Sequence, residues 1–262
     1  MKLLDLDTQN KRIEKDLTKR LSIVFDHGKY IQGPEVFELE EKLCEFSGAK
    51  HCITCGNGTD ALQIAQMASG ISHRSNVLTT GFSYIATAET IALLGAKPVF
   101  TDIRPETFNM NEDLLSDLNL EDIDAIIPVS LFGQMADLEF INNISKDNNI
   151  ITIEDAAQSF GAKRLNKKSC SISDISCTSF FPSKPLGCYG DGGAIFTNDE
   201  ELSIKIRQIA NHGQKEKYNH IRIGVNSRLD TVQAAILLAK LEIFSDELEA
   251  RNNVANLYFK HL

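Results

Sequence analysis

The chain has 262 residues, of which 42% are hydrophobic and 24% charged, a composition typical of a globular protein with a sizeable core. Its net charge of -9 argues against nucleic acid as a partner, because surfaces that bind phosphate backbones are basic. No apolar stretch approaches the roughly 20 residues of a membrane helix, and the first ten residues carry acids where a signal peptide needs a basic start. We therefore expect a cytoplasmic protein without a membrane partner.

Short β-rich segments alternate with segments of helical periodicity. The predicted strands are 51–54, 76–80, 98–103, 125–132, 150–154, 175–181 and 193–197. The predicted helices are 35–46, 59–68, 84–94, 138–145, 200–209 and 231–262, after a first arm or helix over 3–24. This alternation predicts a mostly parallel sheet of seven strands with helices on both faces.

The connection before the last predicted strand, 182–192, contains two prolines and several glycines and is too short for a helical crossover. A parallel strand pair needs such a crossover, whereas an antiparallel pair does not. We therefore predict that strand 193–197 runs antiparallel to the rest. The amphipathic segment 242–262 would expose an apolar face, so we also expect a further segment or a tight partner to cover it.

Six cysteines without regular dense spacing are typical of reduced thiols in a cytosolic protein. Cys52 and Cys55 have the spacing of a redox or zinc pair, but the chain has no second such pair. An apolar strand explains both residues, and we predict no metal site.

The segment Gly56-Asn-Gly-Thr-Asp-Ala61 lies between a predicted strand and a predicted helix. Free backbone N–H groups and the helix dipole at such a junction favour a bound phosphate. The segment also matches a dinucleotide pattern, but the next strand, ending at Gly81, lacks the acid that would bind a ribose. A phosphate monoester therefore suits the segment better, and a helix capped by Thr59 or Asp60 is the alternative without function.

The apolar strand 150–154 leads to two acids, Glu154 and Asp155, at the edge where open α/β sheets bind ligands. An acid in such a crevice needs a cationic partner to stay ionised, and a protonated pyridine nitrogen can serve as one. We predict that Asp155 is the acid that pairs with such a nitrogen. Gln158 lies one helical step further along the chain. The alternative is a helix cap supplied by Asp155.

Lys184 lies in an apolar turn rich in glycine and stiffened by proline, within residues 179–194. Partial desolvation lowers the pKa of an ammonium group and frees the amine to attack an aldehyde, as a Schiff-base lysine must. An ordinary loop lysine is the alternative.

These segments resemble, in order, the DegT/DnrJ/EryC1/StrS sugar aminotransferases, a fold-type-I family dependent on pyridoxal phosphate (PLP). The resemblance covers nearly the whole chain. It is carried by 58–62, 84–88, 95–99, 154–158, 179–184, 190–194, 211–214 and 224–230. Pro185 departs from the asparagine that is commoner after the lysine.

The resemblance implies roles for individual residues. Lys184 would bond the cofactor aldehyde, Asp155 would face the pyridine nitrogen and Gln158 would lie near the ring hydroxyl. The other implied contacts are the phosphate ligands Gly58, Thr59 and Ser179, Asn226 from the neighbouring subunit of a homodimer, and Phe82 or Tyr84 near the ring face.

Residues 179–196 and 221–244 are especially similar to one subgroup, which implies L-glutamate as amino donor and UDP-2-acetamido-2-deoxy-3-oxo-glucuronate as acceptor, for bacterial surface polysaccharide. Cations should bind the carboxylate and diphosphate of such a sugar. The candidates are Arg228, which we prefer, and Arg222, His212 and His220. Tyr84 is a further candidate contact for the substrate.

The resemblance also predicts an arm over 1–33, a large PLP-binding domain over 34–240 and the start of a small domain over 241–262, which family members continue further. Three alternatives stay open: an NAD-linked oxidoreductase, a PLP-binding protein without activity and an aminotransferase for another nucleotide-linked oxo sugar. A PLP-dependent sugar dehydratase is disfavoured, because such relatives carry histidine where this chain has Lys184.

Overall fold

The structure, a computed structural model, describes residues 5–261; the start of the predicted arm, 1–4, and Leu262 lie outside the described residues. The α-helices are α1 (Leu6–His27), α2 (Pro34–Ser47), α3 (Gly58–Ala68), α4 (Ala86–Leu93), α5 (Leu138–Asp147), α6 (Glu200–Ala210) and α7 (Thr231–His261). The strands are β1 (His51–Cys55), β2 (Asn76–Thr80), β3 (Lys97–Thr101), β4 (Ala125–Ile126), β5 (Ile151–Asp155), β6 (Lys163–Arg164), β7 (Lys167–Lys168), β8 (Ile175–Ser179), β9 (Gly193–Thr197), β10 (Gln214–Glu216) and β11 (Asn219–His220).

Seven strands form the main sheet, in the order β1-β9-β8-β5-β4-β2-β3. Strand β9 pairs antiparallel with both β1 and β8, and the remaining pairs are parallel. The predicted sheet and its antiparallel strand are therefore confirmed. The sequence did not reveal the hairpins β6–β7 and β10–β11, whose strands of two or three residues are too short to show a periodicity.

The central strands are buried because helices cover both faces of the sheet. One face packs against α3, α4 and α6, where Ile64, Ile91 and Ile206 are fully buried. On the other face Phe160 stacks on Phe196 and Phe244, with ring centroids 5.9 and 5.7 Å apart.

Four predicted elements are shorter than expected: the strands over 98–103, 125–132 and 175–181 and the helix over 84–94. The strand expected over 125–132 is regular only over β4, and a 3-10 turn occupies Leu131–Gly133 with Phe132 at φ 57°. Pro128 has no N–H to donate to a ladder, which explains why regular pairing ends before it. The helix expected over 84–94 begins at Ala86.

The N-terminal segment was predicted to be an arm or a helix, and the structure has the helix α1 there. Helix α1 packs along α7. Gln9 donates to Glu247 at 2.7 Å, and Arg12 pairs with Asp246 at 3.1 Å. Helix α7 runs without interruption past residue 240, and residues 249–261 are exposed. Within residues 5–261, the structure has no helix of the length and apolarity needed to cross a membrane.

Candidate active site

The candidate site lies where β5 and β8 end and α3 begins. Asp155 is the last residue of β5, Ser179 is the last residue of β8, and Gly58 is the first residue of α3. Lys184 follows in the turn that connects β8 to β9. Carboxyl ends of neighbouring parallel strands meet at one edge of a sheet, which is where ligands of open α/β sheets bind.

Asp155 is buried, and its carboxylate has two hydrogen-bond donors. Thr87 of α4 donates its hydroxyl to Oδ2 at 2.7 Å, and the Ala157 N–H donates to Oδ1 at 3.2 Å. Burial raises the pKa of Asp155, while these two hydrogen bonds and the charge of Lys184 act to lower it. A cationic ring nitrogen at this carboxylate would offset the remaining cost of burial.

Lys184 is half-buried in a compact turn, and its N–H donates to the Phe181 carbonyl at 2.8 Å. Burial lowers the pKa of the Lys184 amine, and the only opposing influence is the charge of Asp155. The two side chains are therefore close enough for each to act on the ionisation of the other. An amine with a lowered pKa is a better nucleophile at neutral pH than a solvated lysine.

The start of α3 presents backbone N–H groups beside the end of β8. Asn57 caps the helix by accepting from the Asp60 N–H at 2.8 Å, while Gly58 and Thr59 supply the first N–H groups of the helix. A Cβ on Gly58 would lie 2.7 Å from the Cβ of Ser179, so only glycine lets β8 approach this closely. Ser179 thereby lies beside the positive end of the helix dipole.

Ser227 also belongs to this junction, although sequence reasoning missed it. Its Oγ accepts from the Gly56 N–H at 2.9 Å and donates to Asp60 at 2.6 Å. Thr87, the partner of Asp155, was missed as well. Both lie inside segments that carry the family resemblance, 84–88 and 224–230, and that was the available signal.

Aromatic side chains form an exposed cluster beside the site. Phe82 stacks on Phe108 with ring centroids 5.4 Å apart, and Phe108 meets Phe132 edge to face at 5.9 Å. Phe82 is 48% exposed and Tyr84 is 74% exposed. Neither residue belongs to the buried core.

A groove of about 1210 Å³ is lined by Gln158, Ser183 and Pro185 and by residues of α7. Neither Asp155 nor Lys184 lines it, although Ser183 and Pro185 are the neighbours of Lys184 in the chain. Gln158 is half-buried there. Its proposed contact with a ring hydroxyl stays a prediction.

The predicted residues from the segment after α6 have other partners than Asp155 and Lys184. Arg228 donates to Asn211 at 2.9 Å and lines a small pocket with Glu40 and Arg207, while Asn226 is exposed. His212 is exposed, and its carbonyl lies 2.9 Å from His220 Nδ1. Within residues 5–261, no hydrogen bond or ion pair joins Asp155 or Lys184 to any of Arg228, Asn226, His212, His220 and Arg222, and the roles of these five residues stay predictions.

Both residues of the candidate redox or zinc pair lie on β1 with buried thiols. Burial raises the pKa of Cys52 and of Cys55. A raised pKa disfavours the thiolate that redox chemistry and metal binding need. The strand interpretation of both cysteines is confirmed.

The arrangement suits PLP. The cofactor needs an amine for its aldehyde, a carboxylate for its ring nitrogen and a set of N–H donors for its phosphate. Lys184, Asp155 and the start of α3 provide these groups at one edge of the sheet. The residues therefore fit the group by their chemistry and by their place in the fold.

Comparison with known proteins gives matches over nearly the whole chain. The family model for the DegT/DnrJ/EryC1/StrS aminotransferase family matches residues 11–262. UDP-2-acetamido-2-deoxy-3-oxo-D-glucuronate aminotransferase from Pseudomonas aeruginosa is 59% identical over 258 residues, which are 98% of this chain and 72% of that protein.

Solved structures show the same fold. A DegT DnrJ EryC1 StrS aminotransferase from Brucella abortus superposes with a TM-score of 0.94 at 46% identity, over 99% of this chain and 72% of that one. A Bacillus subtilis protein with bound cofactor PMP superposes with a TM-score of 0.83 at 32% identity, over 89% of this chain and 54% of that one.

Proposed function

The chain belongs to the DegT/DnrJ/EryC1/StrS aminotransferase family, and we propose that it transfers the amino group of L-glutamate to C3 of a UDP-linked 3-oxo sugar. The family, the fold, the enzyme class and the PLP cofactor predicted from the sequence are confirmed. The acceptor that we propose is UDP-2-acetamido-2-deoxy-3-oxo-glucuronate, the sugar named in the Pseudomonas aeruginosa relative.

The observation that carries this proposal is the placement of Asp155 at the end of β5, Lys184 in the turn after β8 and the start of α3 at one edge of the sheet. Lys184 would bond the aldehyde carbon of PLP, and Asp155 would pair with the ring nitrogen. Gly58, Thr59 and Ser179 would bind the phosphate, and Gln158 would contact the ring hydroxyl. When bound, PLP supplies an aldehyde that accepts the amino group and a cationic ring that stabilises negative charge at the substrate carbon.

The residues of the chain carry the proton transfers. Once the amine of Lys184 is free, its Nζ accepts the proton from the α-carbon of glutamate, which the lowered pKa favours at neutral pH. Asp155 keeps the ring nitrogen protonated because its carboxylate is desolvated and held by Thr87. With the oxo sugar, Nζ performs the reverse transfer and returns a proton to C3.

We expect the protein to act as a homodimer in which Asn226 completes the phosphate site of the neighbouring subunit. Exposed apolar side chains support an association surface, since Tyr84 is 74% exposed and Tyr218 and Ile223 are each 83% exposed. The product, a 3-amino sugar, would enter bacterial surface polysaccharide such as lipopolysaccharide O-antigen. Because UDP-sugars are made in the cytoplasm, we place the reaction there.

The test begins with a Lys184→Ala variant beside the wild-type protein. Wild-type protein loaded with PLP should be yellow, should lose its visible band on addition of glutamate and should keep PLP on the peptide containing Lys184 after borohydride reduction. Lys184→Ala should lose both the covalent attachment of PLP to this peptide and transamination, the latter by at least about a thousandfold. Lys205→Ala, which replaces a half-buried lysine of α6, is the matched control and should retain them.

Turnover by Lys184→Ala at the wild-type rate would contradict the role of this lysine. Colour without response to glutamate would indicate a PLP-binding protein without transaminase activity. Substrate choice is tested by incubation with glutamate and a panel of nucleotide-linked oxo sugars, followed by mass spectrometry. Amination of a GDP- or dTDP-linked sugar in preference to the UDP-linked sugar would overturn the proposed acceptor.

A further inference from the structure

Glu154 is the second acid of the strand end, and the proposed function gives it no role. It is completely buried beside Asp155 on β5. Successive residues of a strand point to opposite faces of the sheet, and the two acids accordingly have different partners. Asp155 contacts α4 through Thr87. Glu154 contacts Ser130, which precedes β5 in the chain, and Ser169, which follows it.

Three groups donate hydrogen bonds to the Glu154 carboxylate. The hydroxyls of Ser130 and Ser169 donate to Oε1 at 3.0 and 2.7 Å, and the Cys170 N–H donates to Oε2 at 2.9 Å. Burial raises the pKa of Glu154, while these bonds act to lower it and favour the ionised form. A buried carboxylate with this many donors joins separate chain segments rigidly.

Ser130 connects Glu154 to the backbone of Asp155. The Ser130 N–H donates to the Asp155 carbonyl at 3.0 Å, and the Asp155 N–H donates to the Pro128 carbonyl at 2.9 Å. The segment 128–130 therefore holds both backbone polar groups of Asp155. The side chain of Ser130 is oriented by Glu154 and by the Ala136 N–H, which donates to its Oγ at 3.2 Å.

Ser130 also begins the turn that carries Phe132. The buried side chain of Asn109 accepts from the Leu131 N–H at 2.8 Å. Because Asn109 follows Phe108 directly, this bond connects the turn to the segment that carries Phe108. Phe132 contacts Phe108, and Phe108 stacks on Phe82. A continuous set of contacts therefore leads from the Glu154 carboxylate to the ring of Phe82.

We infer that Glu154 is a positioning residue, which holds Ser130 so that Asp155 and the aromatic cluster keep a fixed orientation toward the cofactor ring. This inference rests on the proposed function, because the orientation concerns the bound PLP ring. Small displacements of groups that face a reacting ligand lower the rate far more than they lower binding. Glu154 would thus act through Asp155 and Phe82 without touching the cofactor.

The test compares Glu154→Gln and Ser130→Ala with the wild-type protein loaded with PLP. In Glu154→Gln an amide NH₂ faces the Cys170 N–H or a serine hydroxyl. In Ser130→Ala the hydroxyl that donates to Glu154 and accepts from the Ala136 N–H is lost, while the backbone bond to Asp155 remains. We expect the circular dichroism of the visible cofactor band, per bound PLP, to change in both variants. We expect kcat to fall on the order of ten- to a hundredfold, with a smaller change in the KM for glutamate.

Glu35→Gln is the matched control, since Glu35 is also a buried glutamate but pairs with His27, away from the candidate site. It should lower the Tm of the protein without PLP and leave the cofactor dichroism unchanged. Unchanged dichroism and kcat in folded Glu154→Gln would overturn the inference. If that variant does not fold, unchanged values in Ser130→Ala would overturn it. Failure of the wild-type protein to bind PLP would instead refute the proposed function.

Discussion

Thr87 shows how one hydroxyl sets the chemistry of the candidate site. It donates to the carboxylate of Asp155 at 2.7 Å and thereby lowers the pKa of an acid whose burial raises it. In Thr87→Val this donor is absent, so the pKa of Asp155 should rise. The ionised form is then lost at a higher pH, and the acid limb of the kcat/KM profile should move to higher pH.

At neutral pH we expect kcat/KM of Thr87→Val to fall by about tenfold, the factor that corresponds to one hydrogen bond to a charged group. Thr87→Ser keeps the hydroxyl and should keep the wild-type profile. The measurement is kcat/KM as a function of pH for all three proteins. Identical acid limbs in Thr87→Val and the wild type would show that Thr87 does not set the ionisation of Asp155.

Helix α7 contains a buried lysine that makes stability depend on pH. Lys240 is 2% exposed, and its Nζ lies 4.4 Å from the centre of the Tyr189 ring. Burial lowers the pKa of Lys240 to about 8, against small opposing effects of Cys188 and Glu247. Between that pH and the ordinary value of 10.5, the unfolded chain binds more protons than the folded protein, so the folded state gains stability as the pH rises.

Lys240→Met keeps the apolar stem and removes this titration. The stability of the variant relative to the wild type should therefore decrease by about 2 kcal/mol between pH 7 and pH 10. Urea unfolding at both pH values measures this change. Lys19→Met, which alters an exposed residue of α1, should show a constant difference from the wild type. A constant difference for Lys240→Met as well would exclude a lowered pKa at this position.

At the scale of the whole molecule, the proposed dimer divides each active site between two subunits. Asn226 is exposed and pairs with Asn211 in an isolated β-bridge. It is far from Lys184 in the sequence. If Asn226 serves the neighbouring subunit, Lys184→Ala and Asn226→Ala subunits should complement each other. A mixed dimer would then contain one site with both changes and one intact site.

Random mixing of the two inactive variants should restore roughly a quarter of the wild-type activity per site. Unfolding and refolding the variants together, followed by a transamination assay, measures this recovery. Each variant refolded alone is the control. Absence of recovery, with mixed dimers present, would place Asn226 in the same subunit as the lysine it serves or outside the site.

The predicted division into an arm over 1–33, a large domain over 34–240 and the start of a small domain over 241–262 remains a proposal at this scale. Helix α7 crosses the second boundary as one helix. Limited proteolysis, followed by mass analysis of the fragments, would locate the boundaries.

Local patterns were sufficient to predict the order of the strands of the main sheet along the chain and the antiparallel last strand. They also indicated the three chemical groups at the strand ends, whose roles were then implied by the family resemblance. Hydrophobic periodicity, and the prolines and glycines that interrupt it, depend on neighbouring residues and are visible in the chain itself. Regular pairing in 125–132 was overestimated because periodicity does not register the missing donor of Pro128.

The partners of these groups were decided by the tertiary structure. Thr87 and Asp155 are 68 positions apart, and Asp60 and Ser227 are 167 positions apart. Spacing along the chain contains no information about such contacts, because they arise only when the sheet brings distant segments together. The network of Glu154 has the same origin, since it joins Ser130 and Ser169 from either side of β5.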